Sequence, residues 1–108
     1  MAKNKKIAEE SDKLLFNKAI EDYEKENYIA SYHSFFYISS YSNSNLSNDA
    51  KFWLAKHLEF GYGTSKNEKK VFEYYSQVYD NNESKVRQLY ISKLLSNYVP
   101  RDAILRNT

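Results

Sequence analysis

Two glycines and one proline punctuate the whole 108-residue chain, and both glycines stand together, at Gly61 and Gly63. Tight turns draw on Gly and Pro, so a β-sandwich or barrel, with a turn every few residues, is excluded. A glycine-rich phosphate loop also needs more glycine than this, which removes the Rossmann and P-loop enzymes. A chain of 108 residues supports one domain around one core. What remains is a set of helices joined by short polar connections.

Helical spacing fills most of the sequence. The first segment runs from about Ile7 to Glu26, with Leu15, Phe16, Ala19, Ile20 and Tyr23 on one face. Glu9, Glu10 and Asp12 fall in its early part, where they complement the helix dipole, behind a basic tail of Lys3, Lys5 and Lys6. The second segment, about Tyr28 to Tyr41, places Tyr28, Tyr32, Phe35, Phe36 and Ser39 together. Between them lies Lys25-Glu26-Asn27, with Asn27 suited to a left-handed C-cap. Residues 42–48 form a polar connection, and Ser47 or Asn48 is the expected N-cap of a third helix, Asp49 to Phe60. Its inner face is Ala50, Trp53, Leu54, His57 and Leu58, and it stops at Gly61-Tyr62-Gly63-Thr64, where positive φ is expected. Asn67 caps a fourth helix, Glu68 to Asn81, with Val71, Tyr74, Tyr75 and Val78 inward. A fifth spans Glu83 to Ser96, with Val86, Leu89, Tyr90 and Leu94 inward, and Pro100 opens a short last helix over residues 100–106. No segment alternates over the length a strand needs. The expected fold class is all-α, with five helices and a short C-terminal one.

The chemistry of catalysis is hard to place on this chain. Without Cys there is no disulfide, thiolate nucleophile or Cys-based zinc site, and a reducing, cytoplasmic setting fits. The start MAKNKKIAEESDK has no apolar core of a signal peptide, and no stretch reaches the roughly 20 apolar residues of a membrane span. His33 and His57 are the two histidines, and neither stands in a metal-ligand spacing. Ser31 and His33 do not share a helical face, so they do not make a Ser–His pair; His57 is expected to pack on Trp53, four residues before it. The acidic residues from Glu9 to Glu26 interleave with Lys13, Lys18 and Lys25, as on a solvated, ion-paired face. The reading is no catalytic residue, no cofactor and no metal.

A period of 36 residues relates the helices: Ala50 aligns with Val86, Leu54 with Tyr90, and Leu58 with Leu94; stepping back, Ala55 aligns with Ala19. That is the repeat of an α/α-solenoid of stacked antiparallel hairpins. The stretch Ala50, Leu54-Ala55, Leu58, Gly61-x-Gly63-Thr64, Asn67, Lys70-Val71, Tyr74-Tyr75, Val78-Tyr79 resembles the Sel-one-like repeat, a relative of the tetratricopeptide repeat. The hairpin before it is similar to a tetratricopeptide repeat, with Ala19 at the small position and Phe35 at the aromatic one. Val71, Val78 and Tyr79 depart from the pattern's alanines, and Ile91 and Asn97 from its glycines. The organisation is a single domain over 1–108: hairpin 7–41, connection 42–48, Sel-one-like hairpin 49–82 and a partial terminal repeat 83–106.

The resemblance implies a non-catalytic interaction module or adaptor, whose first helix in each hairpin lines a concave groove. The implied partner-binding residues are Phe16, Ile20, Phe52, Trp53, Lys56 and Phe60. An aromatic groove rimmed by Lys suits a peptide or helix of a protein partner, or a second copy of the chain, making a homodimer. The alternative is a small nucleic-acid-associated protein using Lys51, Lys56, Lys66, Lys69 and Lys70 beside Phe52, Trp53 and Tyr62. A net charge of +2 speaks against it. A pathogen or viral protein that blocks a host pathway by binding has the same outline.

Overall fold

Lys25, Glu26 and Asn27 turn the chain back on itself through a hydrogen-bonding pattern that needs one residue with a positive φ. A computed structural model of the chain describes residues 2–42, 45–80, 91–92 and 94–96. The described residues form four helices and no strand: α1 (Ala2–Glu24), α2 (Tyr28–Tyr41), α3 (Leu46–Phe60) and α4 (Glu68–Asp80). Each helix packs on the next, and α1 also touches α3. Residues 91–92 and 94–95 are helical, inside the expected fifth helix; the rest of that helix and the 100–106 helix lie outside the described residues.

Three boundaries differ from expectation. Helix α1 begins at Ala2, so Lys3, Lys5 and Lys6 are helical, and Glu9, Glu10 and Asp12 lie beyond its first turn. Ala and Lys are good helix formers, and nothing before Ile7 breaks the helix. Helix α3 begins at Leu46, whose side chain packs on the core; Ser47 lies inside the helix and its hydroxyl donates to the Ser39 carbonyl (3.4 Å). The residue with positive φ after α1 is Glu26 (φ 64°), and Asn27 is at φ −82°. The Asn27 N–H donates to the Asp22 carbonyl (2.7 Å) and the Glu26 N–H to that of Tyr23 (3.1 Å), a Schellman closure that puts Glu26 at its left-handed position.

The second closure uses glycine. Gly61 has φ 72°, and the Tyr62 N–H donates to the His57 carbonyl (2.9 Å). Gly63 also has φ 72°, and a Cβ there would stand 2.6 Å from the carbonyl carbon and oxygen of Tyr28. The loop therefore lies directly on the backbone at the start of α2. Asn67 ends the loop as expected: its Oδ1 accepts from the Lys70 N–H (3.1 Å) and its N–H donates to the Leu58 carbonyl (3.1 Å).

The core has two connected parts. Ala19, Phe35, Ile38, Ala50 and Leu54 join α1, α2 and α3. Ala55, Leu58, Val71, Tyr75, Val78 and Ile91 join α3, α4 and the segment beyond it, and Tyr32 and Tyr74 pack against both parts. The expected inner residues Leu15, Phe16, Ile20, Tyr23, Trp53, Tyr74 and Leu94 are half-buried. Helix α2 departs most. Its buried line is Ser31, Phe35 and Ile38, and Phe36, expected inward, is exposed. The helix carries apolar residues on every side, so its own pattern does not choose a face; contact with α1 and α3 does.

Gly61→Ala strains only φ, because its nearest neighbour is the flexible Lys66 side chain, and should cost about 1 kcal/mol. Gly63→Ala adds a backbone clash and should cost about 3 kcal/mol. Equal melting temperatures for the two variants would contradict this packing. Glu26→Gly relieves the left-handed strain and should stabilise by about 1 kcal/mol in urea titrations.

Candidate interaction face

The aromatic residues of α1 and α3 meet over Phe35. That ring, fully buried on α2, contacts Phe16 edge-on (5.5 Å) and Trp53 in a near-parallel stack (5.6 Å, 4°). Trp53 also meets Tyr23 (5.0 Å) and Phe52 (6.0 Å). The Lys56 ammonium lies 5.3 Å from the centre of Phe52 and 6.0 Å from that of Phe60, and Phe60 continues to Tyr62 (5.4 Å). Thus Phe52, Trp53, Lys56 and Phe60 form one outer strip of α3, with Phe16 and Ile20 across the seam on α1. Of the six sequence-identified residues, Phe60 is the most exposed, at 47%, and the other five are half-buried. Trp53 is held on two sides by Phe35 and Tyr23, so it is as much a wedge between helices as a surface residue.

Beneath this face lies a polar connection that the sequence did not disclose. His57 is fully buried, and its ring lies among Tyr23, Tyr28, Tyr32 and Phe35, at 5.3, 6.2, 5.7 and 6.0 Å, rather than on the Trp53 indole. Its Nδ1 is 2.7 Å from the Tyr62 carbonyl oxygen. A carbonyl only accepts, so Nδ1 carries a proton and the neutral ring presents Nε2 as an acceptor. Nε2 faces the hydroxyl of Ser31 at 3.1 Å, and the Ala19 carbonyl lies 2.9 Å from the same hydroxyl, so the two acceptors share its single hydrogen. Helix α1, helix α2 and the glycine loop are joined through one imidazole. Ser31 thus meets His57 and not His33, which is exposed. Ser31 and His57 are fully buried, so the hydroxyl has no open side for a substrate. The spacing Ser31, Phe35, Ile38 was the available signal: a Ser in line with two core residues asks for a buried partner.

Other electrostatic features are local. Lys25 bonds Glu21 at 2.7 Å and holds its carboxyl below the usual value, and Lys18 lies 3.7 Å from Asp22. Both pairs follow the interleaving seen in the sequence. Burial pushes the Tyr23 hydroxyl up, helped by Tyr62, Tyr28 and Glu59. Among the described residues, no helix is long and apolar enough to cross a membrane, and no group of three His, Cys, Asp or Glu side chains is placed to hold a metal ion.

Compared with known proteins, the chain matches no family model, no curated protein and no solved structure.

Burial lowers the His57 pKa from the ordinary 6.5, and the bond to Tyr62 opposes this in part. The unfolded chain then binds the proton more readily, so stability is full above 6.5 and falls as pH drops below it. Urea midpoints measured from pH 7.5 to 5 should decline, and should still decline in His33→Asn. In His57→Gln that slope should vanish; a slope that persists there would assign it to another group.

Proposed function

We propose that the chain is a non-catalytic protein-interaction module. In this reading it is a short α/α-solenoid of Sel-one-like and tetratricopeptide-like hairpins, and it takes a peptide or helix of a partner on the face shared by α1 and α3. The cytoplasm is the compartment that suits a Cys-free chain of this kind. Support for the repeat comes from roles rather than letters alone. Ala50 and Ala55 are fully buried where helices approach, both loop glycines have positive φ, and Asn67 caps the helix that follows.

The observation that carries the binding role is the strip Phe52–Lys56–Phe60. Its lysine lies over two rings, and the outer ring, Phe60, remains about half exposed. Aromatic side chains present a large contact area at little conformational cost, which makes them frequent anchors. Lys56 adds a charge at the centre of the strip, so a ligand with an apolar or aromatic residue beside a carboxylate fits it. Trp53, the natural anchor from sequence, is engaged with Phe35 and Tyr23; the anchoring role passes outward to Phe60.

A displayed random-peptide library panned on the protein tests this. Selected peptides should carry an aromatic or large apolar residue near an acidic one. Phe60→Ala should weaken them about 30-fold, and Lys56→Ala less, with melting unchanged. Peptides that bind all variants alike would move the site off this face. Retention on heparin well above physiological salt would favour nucleic acid instead.

A further inference from the structure

Helix α2 carries no Asp, Glu, Lys or Arg in fourteen residues, YIASYHSFFYISSY, while each of the other three described helices carries several. Ser31, Phe35 and Ile38 are spent on the core. On the opposite side Ile29, Phe36, Tyr37 and Tyr41 are exposed by 65, 44, 50 and 70%, with His33 and Ser40 among them. Tyr37 and Tyr41 already contact each other at 5.1 Å. The spacing 29, 33, 36/37, 40/41 is that of a seam between two helices. At 1.5 Å per residue the seam is about 18 Å long.

We propose that this outward face of α2 is the seam of a two-fold, antiparallel homodimer. The charge pattern selects the occupant. A charged surface laid on this seam would exchange its hydration for a few hydroxyls and one imidazole, with no opposite charge to pair it. An uncharged face is needed, and the α2 seam is itself one. Pairing it with its own copy brings no like charges together, and antiparallel packing sets the positive end of each helix dipole beside the negative end of the other. A lipid surface is disfavoured by the same composition, because helices that lie on membranes carry a Lys/Arg rim, and α2 has none.

The dyad falls at the register of Phe35, midway between Ile29 and Tyr41. Ile29 then meets Tyr41 of the other copy, and His33 meets its Tyr37. One helix pair is a small interface, so the dimer is weak, with a dissociation constant on the order of 10–100 µM.

Sedimentation velocity from about 5 to 500 µM is the test. The parent should pass from monomer to dimer. Ile29→Glu and Tyr41→Lys sit at highly exposed positions and should keep the parent's circular dichroism and melting. Each places an unpaired charge in the seam and should weaken self-association at least tenfold. Mixed in equal amounts, they should dimerise again, because the carboxylate introduced in one variant faces the ammonium introduced in the other. Phe60→Ala should dimerise like the parent, which separates this seam from the α1/α3 face. A parent that stays monomeric at 500 µM overturns the proposal. So do single variants that remain dimeric, a mixture that stays monomeric, or a Phe60→Ala variant that alone loses the dimer. Binding of the monomeric parent to phosphatidylcholine vesicles would assign the face to lipid instead.

Discussion

The imidazole of His57 holds the two halves of the molecule in register. It rises from α3 and gives its Nδ1 proton to the Tyr62 carbonyl, while its Nε2 faces the Ser31 hydroxyl of α2, which is anchored in turn on the Ala19 carbonyl of α1. A chain of this length gains most of its stability from apolar burial, which has no direction. Hydrogen bonds have direction, and a buried group left without one costs about 1–3 kcal/mol. The network therefore adds little net energy and much specificity: sliding α2 along α3 by one turn would leave the Ser31 hydroxyl and the His57 Nε2 unpaired together. The four aromatic rings around the imidazole keep water out, which strengthens those bonds and makes the same site sensitive to acid.

The glycine loop completes this arrangement. Tyr62 supplies its carbonyl to His57 and stacks its ring on Tyr28 at 4.3 Å. The next residue, Gly63, lies on the Tyr28 backbone. A side chain at Gly63 would lift the loop, part the stacked rings and draw the Tyr62 carbonyl from His57. Turn chemistry, ring stacking and the buried network are thus one mechanical unit, and the α1–α2 pair is fastened to the α3–α4 pair through it.

Much of this was legible in the sequence, for identifiable reasons. Helices follow from the scarcity of Gly and Pro and from the spacing of apolar residues, and α4 reads well because Val71, Tyr75 and Val78 follow the i, i+4, i+7 spacing of one face. The positive φ of Gly61 and Gly63 follows from their place at the C-terminal end of a helix. The buried face of α2 did not follow, because a helix with apolar residues all round leaves the choice to its neighbours; Phe36 went outward on that account. Ser31 and His57 lie 26 residues apart on different helices, beyond any local pattern. Glu26 took the left-handed position because the closure is fixed by where α1 ends, and Asn27 falls one residue too late. Of the face of α1 and α3, the residue set was readable, but the division of labour was not: Trp53 turned inward as a wedge, and Phe60 kept the exposure.

Tyrosine explains how such a chain can carry two aromatic faces in water. A phenol ring covers apolar surface while its hydroxyl stays hydrated, so Tyr37 and Tyr41 keep hydrated groups on a charge-free helix where Phe or Leu would leave none. The two faces also differ in a way that keeps them independent. The strip on α3 has Lys56 between its rings and Asp49 and Glu59 on the same helix, so under the proposed binding role it favours ligands that bring charge. The outward side of α2 has no charge to offer, and a charge brought to it would find only hydroxyls and one imidazole in place of water. In the two proposals each surface suits a different kind of partner, and the packed layer of Phe35, Ile38, Ala50 and Leu54 lies between them.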